Sequence, residues 1–124
     1  MNFDWMEYLE ISKHLSQCNT QSEKFSKEAA TRCAISRAYY SAFCHARNHA
    51  QNHLGFFPAT SKKWEDHQRL RQHFIDKNFA DISGKLQDLR EWRNDCDYDN
   101  IPPPCLMSLK VAISSSEYIL SLPL

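Results

Sequence analysis

Glycine is almost missing from this chain: two in 124 residues. A protein built from tight β-turns needs more, so low glycine with few turn clusters points away from sandwiches and barrels and toward an all-α fold. No stretch approaches the roughly 18 apolar residues of a membrane span. Net charge is absent too, with 15 basic and 15 acidic side chains. A protein that grips nucleic acid over a wide face is basic, so any such contact here is local. The five cysteines, Cys18, Cys33, Cys44, Cys96 and Cys105, are odd in number, widely spaced and without a C-x-x-C. That is neither a disulfide framework nor a zinc pattern. It predicts that most are small core residues in a reducing cytosol. There is no glycine-rich phosphate loop, no Gly-x-Ser-x-Gly elbow and no Glu-x-x-His. The opening MNFDWMEYLE is acidic and lacks an apolar run, so no signal peptide is expected and the predicted location is cytoplasmic.

What is present is helical periodicity. It predicts a single domain over 1–124, an antiparallel bundle of about five helices. Helix one is expected over Asp4 to Gln17, then a turn at Cys18 to Gln21 with Thr20 and Glu23 as a capping box. Helix two, the longest, is expected over Ser22 to Leu54 with Gly55 as its stop. That gives a length of about 50 Å. Its apolar stripe takes in Phe25, Ala29, Cys33, Tyr40 and Phe43, and the small residues Ala34, Ala38, Ser41 and Ala42 allow another helix to come close. After the loop 55–61, helix three is expected over Lys62 to Asp76 with Trp64, His67, Leu70 and Phe74 inward. Helix four follows over Phe79 to Asn94, capped by Asp76 or Asn78. Helix five runs over Pro103 to Leu120, with Leu106, Leu109, Ile113 and Leu120 in phase.

The segment Leu86 to Asp99, LQDLREWRNDCDYD, breaks its own pattern. Ile82, Leu86 and Leu89 share one helical face, and four residues further that face meets Arg93. A guanidinium keeps its charge, so beside a core it needs partners. They are either Asp95, Asp97 and Asp99 at the helix end, or an anion such as phosphate.

Three other groupings bear on chemistry. His45, His49 and His53 recur every four residues, a spacing able to chelate a metal. A bundle metal site also needs facing carboxylates, and without Glu-x-x-His the expectation is a solvated face and no metal or cofactor. Lys62, Lys63, Arg69 and Arg71, interrupted by Glu65 and Asp66, read as a mixed surface. Cys44 and His45 are neighbours, but adjacent helical side chains point apart.

Two segments together resemble the HEPN-domain superfamily. Ala34 to His49 carries Ser-Arg-x-Tyr-Tyr-x-x-Phe as Ser36, Arg37, Tyr39, Tyr40 and Phe43. Leu89 to Asp99 is similar to the later signature, an arginine and a polar residue, then a spacer and a histidine or tyrosine. The resemblance spans about residues 5 to 121. It implies a helical bundle forming a two-fold homodimer. It also implies a composite, metal-independent endoribonuclease site at the dimer interface, as in toxins or phage-defence effectors, some paired with a nucleotidyltransferase antitoxin. Other members are non-catalytic modules that bind a nucleotide, RNA or a protein. Carried over, Arg93 is the motif arginine, Asn94 the polar residue, and Tyr98 stands where the histidine would. That last departure has a chemical cost, because tyrosine titrates near 10 and histidine near 6.5. As a base at neutral pH, Tyr98 is weak.

Overall fold

The computed structural model describes residues 3–17, 24–100 and 108–124. Five α-helices form: α1 (Met6–Ser16), α2 (Lys27–His53), α3 (Asp66–Asp76), α4 (Ala80–Tyr98) and α5 (Leu109–Leu120). A short 3₁₀ turn, Lys63–Glu65, precedes α3. Among the described residues there is no strand, and no helix is long and apolar enough to cross a membrane.

The helix α2 is the axis of the molecule. It starts later than its periodicity suggests, because Ser26 is extended and its hydroxyl accepts from Ala29 N at 3.0 Å, which satisfies a backbone donor that the first turn leaves open. The helix is therefore about 40 Å long rather than 50. Phe25 lies outside it and is exposed, as is Cys33. The expected Thr20–Glu23 capping box lies outside the described residues. At the other end Gly55 takes φ +72°, and Phe56 N–H turns back to Ala50 O at 3.1 Å. Only glycine adopts that left-handed step without cost. The two phenylalanines that follow divide: Phe56 is buried and Phe57 is exposed.

Other helices meet α2 on its small residues. Ser12 of α1 donates to Ala34 O at 2.6 Å. Ser116 of α5 donates to Ala38 O at 2.9 Å and pairs with Ser41 Oγ at 2.8 Å. Each serine is fully buried, so each interface replaces bulk with close backbone approach and satisfies its hydroxyl locally. This sets the face of α5: Ala112, Ser116, Ile119 and Leu120 are buried, whereas Leu109 and Ile113 are only partly covered. The expected apolar phase holds only in part because small residues make the crossing. Leu106 lies outside the described residues.

The bundle departs from simple antiparallel order. Pairs 8 with 37 and 12 with 34 run α1 against α2, and pairs 36 with 97 and 40 with 93 do the same for α4. His67 packs on Phe43 while Phe74 stacks on His49, so α3 runs in the same direction as α2. The intervening loop must therefore travel back along α2. Leu70 and Phe74 of α3 are fully buried, but Trp64, expected inward, is 69% exposed on the 3₁₀ turn. Asn78 takes φ +69°, and α4 starts at Ala80 with Phe79 at the N-cap position and no side-chain cap, so neither Asp76 nor Asn78 caps it.

The histidine ladder proves structural. His45 Nε2 meets Leu122 O at 2.7 Å, His49 Nδ1 bonds Pro123 O, and His53 Nε2 meets Leu124 O at 2.8 Å. His45 and His49 are buried, so the row is a clamp on the residues after α5 rather than a solvated face. Among the described residues no group of His, Cys, Asp or Glu is placed to hold a metal. Burial pushes the Cys44 thiol up to about 11, so the Cys44–His45 pair offers no thiolate. Cys96 is disulfide-bonded, although the spacing of the cysteines shows no disulfide framework.

Candidate functional site

The end of α4 is fastened to one face of α2. Arg32, Ser36 and Tyr40 recur every four residues and so stand in one row. Arg32 Nη1 donates to the carbonyls of Cys96 at 2.9 Å and Asp99 at 2.6 Å, while its Nε pairs with Glu28 at 3.0 Å. A cation at the C-terminal carbonyls of a helix satisfies orphan acceptors and suits the dipole. This explains why α4 continues to Tyr98, a turn beyond the expected end at Asn94. Ser36 Oγ donates to Asp97 Oδ2 at 3.4 Å.

Arg93 lies beneath Tyr40 in that row. Ile82, Leu86 and Leu89 are buried, and the Arg93 side chain continues their face at 14% exposure. Its Nη2 donates to Tyr40 Oη, and Nη1 donates to Asn94 Oδ1 at 2.5 Å. Asp97 Oδ2 is 3.3 Å from Nε, yet Nε is buried without a hydrogen bond; the carboxylate supplies charge but is poorly aligned. The guanidinium carbon stands 5.0 Å from the Tyr40 ring centre and 5.8 Å from those of Tyr39 and Tyr98. Burial alone lowers the Arg93 pKa, but the Tyr40 hydrogen bond, with Tyr98 and Asp97, reverses this and the net direction is upward. The group is a fixed cation in an aromatic cage. Asp97 is therefore the acidic partner of Arg93, and Asp99 serves Arg32 through its carbonyl.

A second layer reaches α3. Tyr39 Oη is hydrogen-bonded to His67 Nδ1, and the His67 ring stacks on Phe43 at 4.1 Å. Burial, then Arg90, Arg93 and Arg71, pull the His67 pKa down to about 4. Burial drives the Tyr39 hydroxyl well above its ordinary value despite the same three arginines. Burial and then Arg90 hold Arg71 below the usual guanidinium range. Arg71 also donates to His67 O at 3.0 Å. At pH 7 the layer is a neutral imidazole and a neutral phenol among three cations.

Of the residues singled out from sequence, Arg93 and Asn94 are bonded to each other at the centre, and Tyr98 covers them from outside, 72% exposed. The segments 34–49 and 89–99 meet through Ser36–Asp97, Tyr40–Arg93 and the Tyr39 ring. Arg37 turns away, over Tyr8 at 5.3 Å. Arg71, Arg90 and His67 join the cluster without a sequence signal: His67 has ordinary inner-face spacing, and Arg71 sat in a run that reads as surface. Lys62 and Lys63 of that run are exposed, while Arg69 pairs with Asp66 at 2.5 Å.

No family model matches the chain, and neither a curated protein nor a solved structure matches it.

Proposed function

We propose that the Arg93 cluster is an RNA-phosphate site in an HEPN-like two-fold homodimer, and that the protein is a metal-independent endoribonuclease of the toxin or phage-defence kind. The observation that carries this reading is a caged guanidinium with unspent donors. Of its five N–H groups, two are used by Tyr40 and Asn94. Arg71 and Arg90 add positive potential to the same cluster, in a protein whose net charge is zero. Focused charge of this kind suits a single phosphate rather than a wide duplex.

In this reading Arg93 binds the scissile phosphate and stabilises the charge that grows on it in the transition state. Asn94 orients the guanidinium. The imidazole that the sequence lacks after Asn94 has a counterpart in His67. With Nδ1–H donating to Tyr39 Oη, the neutral ring leaves Nε2 as an acceptor that can hydrogen-bond and orient a 2′-hydroxyl, while a pKa pulled down to about 4 makes the ring a weak base at neutral pH. Tyr98 donates to the substrate, and its exposure also suits covalent modification by a nucleotidyltransferase antitoxin.

The test is RNA cleavage by wild type, Arg93→Ala and His67→Ala in EDTA, with the product ends identified. A 2′,3′-cyclic phosphate end, lost in both variants, is the expected result. Full cleavage by Arg93→Ala overturns the assignment. RNA or nucleotide binding that needs Arg93 without any cleavage would move the protein to the non-catalytic members of the resemblance.

A second reading has its own support: Tyr40 and Asn94 already engage both terminal nitrogens of Arg93, as in a pin joining α4 to α2. On that reading Arg93→Ala lowers stability by about 1.5–3 kcal/mol, the range for hydrogen bonds to a charged group. RNA binding by a folded Arg93→Ala would then equal that of wild type.

A further inference from the structure

A separate cavity of about 500 Å³ lies between α2, the returning loop and the start of α3. That volume falls within the range of small-molecule sites. Its walls include Phe43, Arg47, Asn48, Lys63, Trp64 and His67. Of these, His67 also belongs to the Arg93 cluster.

Asn48 is the telling residue. It is 5% exposed, and among the described residues nothing hydrogen-bonds its side-chain amide. The amide itself is not sealed in the core: among the described residues the buried side-chain nitrogen without a partner is Arg93 Nε, so the Asn48 amide opens onto the cavity with its donors and acceptor free for water or a ligand. Its position on the cavity wall says where that ligand sits. Arg47 is in a similar state. Its guanidinium lies over the Phe43 ring at 5.7 Å and, among the described residues, has no carboxylate partner. Lys63 is exposed and forms no ion pair there either. The carboxylate on the wall, Asp66, is already engaged: it accepts from Ala59 N at 3.1 and 3.2 Å and from Arg69 Nη1 at 2.5 Å. The two unpaired cations therefore set the local sign. Trp64 adds a large flat ring, 69% exposed at the rim. The turn that carries it begins at Lys62, which holds φ +53°, a conformation that disfavours side-chain-bearing residues.

We propose that this cavity between α2 and α3 binds a nucleoside phosphate, with the base stacked on Trp64 and read by the Asn48 amide, and the phosphate held by Arg47 and Lys63. An exposed indole offers a stacking platform for any base. An amide presents a donor and an acceptor side by side, the complement of an adenine edge. A guanidinium and an ammonium answer a phosphate. A carboxylate ligand would use the cations but leave the amide and the indole without a role. The proposal does not need the Arg93 cluster to cleave RNA. The nucleotide is either free or one unit of a single strand, and the same groups recognise both.

The experiment is calorimetric titration of the full chain with adenosine 5′-monophosphate, adenosine, inorganic phosphate and a five-nucleotide oligoadenylate, with tryptophan fluorescence followed in parallel. Saturable binding of the monophosphate is expected, with adenosine and phosphate each much weaker. Arg47→Gln, which keeps an aliphatic stem on Phe43, is expected to weaken binding about tenfold or more, as loss of a charge-assisted contact does. Trp64→Ala is expected to remove most of the fluorescence change, and Asn48→Ala to narrow the preference for adenosine over uridine monophosphate. If the monophosphate binds, a free nucleotide suffices; if only the oligonucleotide binds, with the same dependence on Arg47, the ligand is a strand. The proposal is overturned if neither saturates, or if Arg47→Gln, shown to melt like wild type, binds as wild type does. Because binding is read directly, absence of RNA cleavage would leave this result standing, and absence of binding here would leave the Arg93 assignment to its own test.

Discussion

At the level of single residues, the protein's charge balance conceals strong local fields. Arg71, Arg90 and Arg93 converge on Tyr39 and His67, and the consequence is greatest for the histidine. A ring whose folded pKa is near 4, against an ordinary value of 6.5, binds protons more readily in the unfolded chain. Stability from this group is therefore complete above about pH 6.5 and is lost as pH falls toward 4. Thermal melts from pH 7 to pH 4 are expected to show a falling midpoint, with a shallower fall in His67→Gln, which cannot be protonated. An identical slope in that variant would mean that other groups carry the dependence. None of this was legible in the chain, because His67 and Arg93 are 26 positions apart by their numbers and share no motif. Arg93 itself was legible: a guanidinium on an apolar face is a local contradiction that a sequence displays openly.

The secondary-structure elements show where periodicity suffices and where it misleads. Ile82, Leu86 and Leu89 are buried as their spacing requires, and Gly55 ends α2 as a left-handed residue should. The inward face of α5 was read only in part: Leu120 is buried as expected and Leu109 packs against the core, but Ala112 and Ser116 were passed over because hydrophobicity was the guide and small residues make the crossing with α2. Ser116 is fully buried and bonds Ala38 O and Ser41 Oγ, so a larger side chain there must displace its neighbours. Ser116→Leu is expected to destabilise the fold by about 1–3 kcal/mol through overpacking, read as a lower midpoint in urea. Ser116→Ala should cost less, because Ser41 Oγ keeps its own bond to Ala38 O at 3.1 Å. The reach of α4 to Tyr98 depends likewise on a partner: Arg32, 64 positions away, holds the Cys96 carbonyl.

Across the whole molecule, the long helix α2 serves as a common wall. One row fastens α4, its small residues receive α1 and α5, and its histidines hold the last residues of the chain. That third use makes residues 122–124 part of the fold. Removing them frees the His45 and His49 rings, both buried, and is expected to cost about 1–3 kcal/mol, two hydrogen bonds at the usual net worth. A truncated chain that melts like the full one would show the clamp to be without energetic weight. The same wall, with α3 laid along it in the same direction, leaves the cavity that Asn48 and Arg47 line.

The sequence by itself determined the all-helical class, the approximate number of helices, the stop at Gly55 and the anomaly at Arg93. These follow from interactions within a few residues, namely periodic burial, a left-handed glycine and one charge on an apolar stripe. Only the tertiary structure decided which acid meets Arg93, that His67 and two further arginines stand beside it, that α3 runs with α2, and that the histidine row grips the chain end. Each of those depends on which side chains from distant segments share a low-dielectric space, and there geometry sets both partner and charge state.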